Sequence, residues 1–355
     1  MWLKRLVGMK ITLITDTLSS GGSERVMSVL ANELSKDNVV EIICIRQHTV
    51  FYPLENNVKV TFADDYCRNS YLHKFFWLQH YVDRDSIVVA FMVPVYVFVL
   101  AALLLSKVRI IVSERNDPDA ASLMRRLLRY TLLRRADRVV VQTTNIARKM
   151  TLYCQNKIDI IYNPISEKYI SGSALNCSKE NLIVSIGRLS PQKNQKMMID
   201  GFCELLKQHP EYRLEIYGEG EIRDEIEAYI KEKGAEGKVL LMGRNSNLQD
   251  VLPKAKMFVL TSDYEGMSNA MIEAMYVGLP VVTTAVSGTE ELIENGKNGI
   301  IAPIRSKEAF TNAICRLVSN EDLMKEMAQE AVKIKDKVTK DAIIKKWRRL
   351  LSGSV

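Results

Sequence analysis

The second half of the chain alternates short apolar runs with glycine-containing turns and helical segments in a regular order. Short connections of this kind join parallel strands, because each helix returns the chain to the edge of the sheet where the previous strand began. The alternation predicts an α/β fold with a parallel sheet, in which ligands bind at the carboxyl ends of the strands. The strands predicted in this half are Leu182–Ile186, Arg213–Tyr217, Lys238–Leu241, Met257–Leu260 and Pro280–Thr283.

The first half has the same alternation, with longer loops between the predicted strands. Residues 166–181, rich in Ser, Gly, Asn and Lys, have the composition of a linker. We therefore predict two domains, one over residues 1–165 and one over residues 166–340. The strands predicted in the first domain are Met9–Thr15, Val40–Ile45, Val58–Val60, Ile87–Phe91, Val108–Val112 and Arg138–Gln142.

One segment of the first half is long and apolar enough to suggest a different structure. Ile87 to Leu105 form 19 consecutive apolar positions, enough to span a bilayer. The alternative is a buried strand over Ile87–Phe91 followed by a helix that starts at Pro94. β-branched residues are concentrated at the start of the segment, and the next strand follows at once, so we favour the buried strand and helix over a membrane span.

The positive charge of the chain lies in one half only. The 355 residues carry a net charge of +7, and residues 1–165 hold 22 Lys and Arg against 15 Asp and Glu, which accounts for all of it. A helix predicted within residues 123–138 alternates leucine with arginine, and no nucleic-acid-binding motif accompanies it. Basic amphipathic helices bind anionic membrane surfaces. The purely structural interpretation is a solvated helix whose leucines pack on the domain. We favour peripheral membrane contact. The arginines are Arg125, Arg126, Arg129, Arg134, Arg135 and Arg138.

The cysteines, histidines and paired aspartates do not indicate a metal site. Six cysteines are scattered without close spacing and are interpreted as reduced cytosolic thiols. The four histidines have no metal-ligand spacing. Asp83 with Asp85 and Asp117 with Asp119 lie beside turns, and we interpret these pairs as caps.

Residues 1–8 precede the first strand as an extension that either touches a membrane or reflects an upstream start codon.

The first predicted strand ends in a turn with two adjacent glycines, Gly21 and Gly22. Glycine lets the backbone approach a ligand closely, and Ser23 has the side chain to cap the following helix, predicted over Glu24–Leu34. The start of a helix can bind an anion. The same pair of glycines is also common in turns that bind nothing.

The stretch from Asp263 to Val282 carries two carboxylates eight positions apart, Glu265 in a turn and Glu273 in a helix. A helix would separate them by about 12 Å along its axis, with backbone N–H groups near Ser268 and Asn269 between them. This layout suits an anion flanked by hydroxyl-bearing groups, as in a nucleotide sugar. The alternative is a solvated helix with two surface acids.

The surrounding motifs resemble those of the retaining GT-B glycosyltransferases of family GT4. In that family, a Glu, seven residues and a second Glu open the nucleotide-sugar site. The resemblance implies two facing Rossmann-like, doubly wound domains with a cleft between them, and a C-terminal helix at about 341–355, carrying a residue like Trp347, that packs back on the first domain. The other motifs are Gly21–Arg25, Tyr162–Pro164, Gly187–Asn194 and Tyr217–Gly220.

The resemblance also implies roles for individual residues. Arg188 and Lys193 would stabilise the leaving diphosphate, Glu265 would orient the sugar hydroxyls and Glu273 would bind the ribose. Glu114 is a further catalytic candidate, because it lies beside Arg115, where many members carry a histidine. No metal or other cofactor is implied, and a phosphate oxygen would take the proton of the acceptor. The remaining substrate-binding candidates are Gly21, Gly22, Arg115, Asn116, Gly187, Gly218, Gly220, Gly243, Arg244, Gly266, Met267, Ser268 and Asn269.

The implied reaction moves a hexose or N-acetylhexosamine from a UDP-sugar to a lipid-linked or polysaccharide acceptor. Several segments look like bacterial transferases that add N-acetylgalactosamine to undecaprenyl-diphosphate-linked oligosaccharides for surface glycans. Such an enzyme would be cytoplasmic and peripheral on the inner membrane, with no nucleic-acid partner. Two alternatives remain, a sugar-nucleotide epimerase of the same fold and a non-catalytic nucleotide-sugar-binding protein. An NAD-dependent enzyme is disfavoured, because no GxGxxG follows either first strand.

Overall fold

A computed structural model of the chain describes residues 8–19, 21–46, 48–67, 70–115, 117–118, 123–169 and 178–353. The chain divides into two compact units. The first unit comprises Met1–Pro164 with Lys340–Val355, and the second unit comprises Ile165–Thr339. The predicted binding residue Asn116, the second aspartate of one predicted cap pair, Asp119, and most of the predicted N-terminal extension lie outside the described residues.

The first unit is built on a seven-stranded sheet whose strands are all parallel. The strand order is β3-β2-β1-β4-β5-β6-β7. Its strands are β1 Lys10–Thr15, β2 Val39–Cys44, β3 Val58–Phe62, β4 Ile87–Phe91, β5 Arg109–Ser113, β6 Arg138–Val141 and β7 Ile158–Ile160. Its helices are α1 Gly22–Leu34, α2 Tyr71–Tyr81, α3 Val93–Ala102, α4 Leu123–Leu133, α5 Thr144–Cys154 and, from the end of the chain, α14 Lys340–Ser352.

The second unit is built on a six-stranded parallel sheet of order β10-β9-β8-β11-β12-β13. Its strands are β8 Leu182–Ile186, β9 Arg213–Tyr217, β10 Val239–Gly243, β11 Met257–Leu260, β12 Val281–Thr284 and β13 Gly299–Ala302. Its helices are α6 Gln195–Leu206, α7 Arg223–Glu232, α8 Leu248–Val251, α9 Asn269–Tyr276, α10 Thr289–Leu292, α11 Lys307–Val318, α12 Glu321–Ala331 and α13 Lys335–Val338.

Each sheet has a switch point where successive strands turn from one side of the sheet to the other. The strand order changes direction between β1 and β4 in the first sheet and between β8 and β11 in the second. The loops that leave two such strands diverge to opposite faces, which opens a crevice at the carboxyl edge. In the second unit, the loops that follow β8 and β11 are therefore the expected position of a ligand site.

The long apolar segment of the first half forms a strand and a helix, as predicted. Strand β4 covers Ile87–Phe91 and helix α3 covers Val93–Ala102. Met92 joins them with a φ of 69°. The strand lies in the sheet interior, which explains why its residues are uniformly apolar. Among the described residues, no helix is long and apolar enough to cross a membrane.

The helix after β1 corrects one local prediction. Helix α1 begins at Gly22 rather than Glu24, and the residue at its N-cap is Gly21. Ser23 lies inside the first turn and its hydroxyl donates to Glu24 Oε2 at 2.7 Å, so it does not cap the helix. A Gly-Gly pair allowed the helix to start earlier than the first good capping residue.

Helix α14 completes the core on one face of the first sheet. Its buried side chains include Ile343, Trp347 and Leu351, which join the apolar cluster of α1 and the sheet. The Trp347 ring stacks on Phe91 with 6.2 Å between the ring centroids. Arg109, at the start of β5, donates to the Leu350 carbonyl at 2.7 Å and caps the carboxyl end of the helix.

We expect the Trp347→Ala substitution to lower the free energy of unfolding of the first unit by about 3–5 kcal/mol, because it empties a fully buried position. Denaturation followed by tryptophan fluorescence measures this unit alone, since the second unit contains no tryptophan and Trp2 and Trp77 remain as probes. Lys345→Ala, at an exposed position of the same helix, is the control and should change little. Equal stabilities of the two variants would contradict this account of the core.

Candidate functional site

The loop after β8, residues 187–194, lies against the loops after β9 and β10 through direct backbone contacts. Gly187 N–H donates to the Tyr217 carbonyl at 2.9 Å, and Gly218 N–H donates to the Gly243 carbonyl at 2.8 Å. A β-carbon at Gly218 would overlap the Gly187 carbonyl oxygen, and one at Gly220 would overlap the Leu189 carbonyl oxygen. Gly218 and Gly220 are therefore required for the close packing of the loops after β8 and β9.

Lys193 and Glu265 form an ion pair that joins the loop after β8 to the loop after β11, residues 261–268. Both side chains are largely buried, with exposures of 16% and 12%. The Ser262 hydroxyl also donates to Glu265, at 3.0 Å. The structure thus brings together two residues that the sequence places 72 positions apart. Their charges meet at the switch point of the second sheet.

The backbone around this ion pair is held by hydrogen bonds that the sequence motifs did not predict. The Thr261 hydroxyl donates to the carbonyls of Lys193 and Asn194, each at 3.0 Å. Asp263 N–H donates to the Gln192 carbonyl at 2.9 Å. Thr261 is fully buried, so its hydroxyl has no competing water. These contacts keep the two loops in a single arrangement.

The carboxylate of Asp263 ties a third loop to the first two. It accepts a hydrogen bond from Asn194 Nδ2 at 3.3 Å and two from Arg305, at 2.9 and 2.7 Å. Asn194 and Arg305 both have left-handed backbone, with φ of 48° and 61°. Asparagine tolerates this conformation, but arginine seldom adopts it. Arg305 therefore contacts Asp263 from a strained backbone position after β13. Nothing in the sequence motifs predicted this contact.

The loop after β11 leads directly into α9. Ser268 is the N-cap of this helix and its hydroxyl accepts a hydrogen bond from Met271 N–H at 3.3 Å. Gly288 lies so close that a β-carbon there would overlap the Gly266 carbonyl oxygen and meet Met267 Cα at 3.0 Å. Gly288 was not among the residues predicted from the sequence. The predicted residues Gly266, Met267 and Ser268 are thus packed into a buried helix entry.

Glu273 lies on α9 and is 98% buried, with an exposure of 2%. Its Oε2 accepts a hydrogen bond from the Tyr169 hydroxyl at 2.9 Å. Because α9 begins only at Asn269, Glu265 precedes the helix, and the separation of about 12 Å predicted from helical rise does not apply. The eight-position spacing of the two acids in the sequence therefore reflects one loop residue and one helical residue rather than a single helical face.

Two cations predicted to bind the donor, Arg188 and Arg244, are exposed at this edge. Arg188 follows Gly187 in the loop after β8, five residues before Lys193, and its side chain is exposed. Arg244 follows β10 and is also exposed. Among the residues the structure describes, no group of three His, Cys, Asp or Glu side chains is arranged to hold a metal ion. Side chains and the N-terminus of α9 contribute positive charge at this edge.

At the carboxyl edge of the first sheet, the predicted anion site at Gly21 and Gly22 contains a carboxylate. Glu24 Oε1 accepts a hydrogen bond from Thr17 at 3.4 Å, and a β-carbon at Gly21 would overlap the Glu24 carboxylate. A second anion at this position would meet the negative charge of Glu24. The geometry favours recognition of hydroxyl groups over binding of a phosphate.

Glu114, a predicted catalytic residue, is only 1% exposed. Its Oε2 accepts a hydrogen bond from the Tyr96 hydroxyl at 2.6 Å and lies 3.5 Å from Arg129 Nη1. Burial and the neighbouring carboxylate raise the pKa of Tyr96 well above its usual value. This buried cluster favours a positioning role for Glu114 over direct contact with substrate, because an ion pair with 1% exposure on both sides excludes a ligand.

Arg115 is also buried, with an exposure of 8%. Its guanidinium donates to Asn163 Oδ1 at 2.5 Å and lies 4.5 Å from the Phe91 ring centroid. Burial lowers the pKa of Arg115 to about 9, against the opposing charge of Glu114. The structure therefore pairs Arg115 with the Tyr162–Pro164 motif, which sequence reasoning treated as independent.

Two family models match the chain, one to each half. The model described as Glycosyl transferases group 1 matches residues 170–334, and the model described as Glycosyltransferase Family 4 matches residues 20–169. The chain belongs to the family 4 glycosyltransferases. The two models cover every strand except β1, and they support the predicted transferase over the epimerase alternative.

Curated relatives extend over nearly the whole enzyme. One is the Campylobacter jejuni GalNAc-alpha-(1->4)-GalNAc-alpha-(1->3)-diNAcBac-PP-undecaprenol alpha-1,4-N-acetyl-D-galactosaminyltransferase, 29% identical over 91% of this chain and 92% of the relative. Another is the amylovoran biosynthesis glycosyltransferase AmsD of Erwinia amylovora, 27% identical over 97% of this chain and 99% of the relative.

A solved structure shares the fold. Anabaena Alr3699/HepE, in complex with UDP-glucose, superimposes with a TM-score of 0.82 at 17% identity, over 97% of this chain and 100% of that one. The predicted GT-B fold class, with two parallel α/β units of Rossmann type, is confirmed.

We expect Arg305→Gly to loosen the loop after β11 without destabilising the second unit. Glycine removes the left-handed backbone cost of about 1–2 kcal/mol, which offsets the loss of an exposed ion pair worth about 1 kcal/mol or less. Backbone hydrogen exchange at residues 263–268 should become faster, while the free energy of unfolding stays near that of the parent. Lys307→Ala, at a nearby exposed position, is the control. Unchanged exchange in Arg305→Gly would show that Arg305 does not hold the loop.

Proposed function

We propose that the enzyme transfers a hexose or N-acetylhexosamine from a UDP-sugar, with retention, to a lipid-linked or polysaccharide acceptor in bacterial surface glycan synthesis. The Lys193–Glu265 pair at the switch point of the second sheet is the observation that supports this proposal most directly. It combines a cation for a diphosphate with an acceptor for sugar hydroxyls in one small, partly buried space. The names of the Campylobacter and Erwinia relatives support the class of acceptor.

The leaving diphosphate would be stabilised by Arg188, Lys193 and the N-terminus of α9. An arginine can hold phosphate oxygens in a bidentate manner, and a lysine supplies a compact point charge. The exposed guanidinium of Arg188 is accessible to a ligand, whereas Lys193 is held in place by Glu265. Charge that develops on the diphosphate as the glycosidic bond breaks would meet prearranged positive groups.

The two glutamates would recognise the two ends of the donor. Glu265 would accept hydrogen bonds from the transferred sugar, because one of its oxygens is already fixed by Lys193 and Ser262. Glu273 would accept hydrogen bonds from the ribose, as the second glutamate of the family motif. Its burial and its bond with Tyr169 hold the carboxylate in a fixed orientation.

The mechanism would not require a protein base or a metal ion. A phosphate oxygen of the departing diphosphate would take the proton of the acceptor hydroxyl, on the face from which the diphosphate leaves. The buried pairing of Glu114 with Tyr96 and Arg129 suits this scheme, because it makes Glu114 unsuited to act as the base. Arg188 and Lys193 would supply the charge that a divalent cation supplies in other transferases.

The acceptor would be an undecaprenyl-diphosphate-linked saccharide, and the enzyme would work in peripheral contact with the anionic surface of the inner membrane. The positive charge of residues 1–165 supports this proposal. The structure, however, excludes two of the predicted arginines from contact with a membrane. Arg129 is buried, and Arg138 forms a bidentate pair with Asp159 at 2.7 Å. These two arginines of the predicted basic helix stabilise the fold and are not available to a membrane.

We expect acceptor-dependent release of UDP when the enzyme is supplied with UDP-sugars and undecaprenyl-diphosphate-linked saccharides in EDTA. The Arg188→Ala and Lys193→Ala variants should each lose about 10²–10³-fold in kcat, because each removes charge stabilisation of the leaving group. Product mass and the anomeric proton coupling of the product identify the sugar and the α linkage.

Arg316→Ala, at an exposed arginine of α11, is the matched control and should retain full activity. Release of UDP that is independent of acceptor, isomerisation of the donor, or activity that appears only after a divalent metal is added would each contradict the proposed reaction.

A further inference from the structure

The four helices on one face of the first sheet contain no acidic residue. Helices α2, α3, α4 and α5 have 11, 10, 11 and 11 residues, and none of these is Asp or Glu. Neighbouring helices of this set contact each other in chain order, so they form one continuous layer. We call this the acid-free layer. On the opposite face of the sheet, α1 and α14 carry Glu24, Glu33 and Asp341.

The acid-free layer also exposes large apolar side chains. Leu72 and Phe76, four residues apart on α2, are 65% and 53% exposed. Leu105, just after α3, is 96% exposed. In α1 and α14, both fully described, no large apolar side chain is exposed. Among the described side chains, the exposed large apolar residues of the layer and of the turn after α3 are Tyr71, Leu72, Phe76, Leu104, Leu105, Leu127, Leu128 and Tyr153.

The turn after α3 is held in shape by a partly buried cation. Arg135 donates to the carbonyls of Leu103, Ser106 and Val108, at 3.3, 2.6 and 2.7 Å. Three carbonyl contacts fix the backbone on both sides of Leu104 and Leu105. The exposure of these two leucines is thus a property of an ordered turn, not of a loose end. Apolar side chains on an ordered turn lose little backbone conformational entropy when they bind another surface.

The charges that border the layer leave a positive surface. Of the described carboxylates nearby, Asp117 pairs with Lys149 at 2.7 Å and Asp159 pairs with Arg138 at 2.7 Å. Asp83 pairs with Lys10, Asp137 lies 3.6 Å from Arg135, and Asp85 is exposed. Arg134, directly after α4, and Arg148, within α5, are exposed. Exposed leucine and phenylalanine surrounded by positive charge is the composition of surfaces that bind anionic lipid bilayers.

We propose that the acid-free layer, with the turn that carries Leu104 and Leu105, is the surface through which the enzyme docks on an anionic lipid bilayer. The proposal rests on the lipid-linked acceptor of the proposed function, and it replaces the single basic helix predicted from sequence with the exposed side of a layer of four helices. Leu72, Phe76 and Leu105 enter the interfacial region, while the surrounding arginines contact headgroup phosphates.

A second copy of the chain is a less suitable occupant of this surface. A two-fold dimer brings the same patch of both subunits together. Because the helices of the layer offer no carboxylate, such an interface would place positive charge against positive charge. An anionic bilayer satisfies both the apolar and the electrostatic character of the layer.

Sedimentation with vesicles tests the proposal on the full chain without donor or acceptor. We expect binding to vesicles of phosphatidylethanolamine and phosphatidylglycerol, and much weaker binding to vesicles of phosphatidylcholine. Leu72→Asp and Leu105→Asp should each weaken binding by about tenfold or more, because an acid replaces an inserted apolar side chain. Met242→Asp, at a 45% exposed apolar position of the second unit, is the matched control and should bind as the parent does.

Vesicle binding that is equal in all three variants, or equal for the two lipid compositions, would overturn the proposal. A concentration-dependent dimer in sedimentation equilibrium that Leu72→Asp abolishes would also overturn it, because the layer would then be an interface between copies. Transfer to an acceptor with a short, water-soluble lipid is measured separately in the same variants. Full transfer with lost vesicle binding supports the docking surface, whereas vesicle binding without any transfer contradicts the proposed function alone.

Discussion

The ion pair between Lys193 and Glu265 is the interaction on which the organisation of the second unit's carboxyl edge depends. It connects the loops after β8 and β11, the two neighbouring strands from which the chain departs to opposite sides of the sheet. Two charges that are more than four-fifths buried remain stable only when they are paired and hydrogen-bonded, and Ser262 provides an additional donor. The same pairing that avoids an isolated charge also holds a cation and a carboxylate ready for a ligand.

The ion pair in turn depends on close contact between backbones. Gly218 and Gly220 let the loop after β9 lie against the loop after β8, and Gly288 lets the loop after β12 lie against the entry to α9. Thr261 fixes the carbonyls beside Lys193, and Asp263 links Asn194 to Arg305. The charged groups are consequently placed by main-chain packing rather than by flexible side chains. Such preorganisation is what stabilisation of a leaving diphosphate requires.

The first unit uses its buried charges differently. Glu114, Arg115 and Arg129 lie inside the fold, where Tyr96, Asn163 and Phe91 satisfy them. Removal of one partner from such a cluster would leave another charge buried and unpaired, so these residues maintain the carboxyl edge of the first sheet. The outer surface of the same unit has the opposite character, with exposed leucines and no carboxylate on four helices. One half of the chain thus combines a polar interior at its sheet edge with an apolar, basic exterior.

The sequence by itself determined the parallel α/β architecture, the strand and helix formed by Ile87–Ala102, and the set of motifs at the strand ends, because hydrophobic periodicity and glycine turns are local properties of the chain. It also indicated Lys193 and Glu265 as members of one site through family resemblance. Only the tertiary structure decided that these two residues touch, that Arg305 reaches Asp263 from a strained backbone, that Glu114 and Arg129 are buried, and that the acid-free helices form one layer. Burial and pairing join residues that are distant in the chain, and they follow from how helices and loops pack on a sheet, which no local pattern encodes.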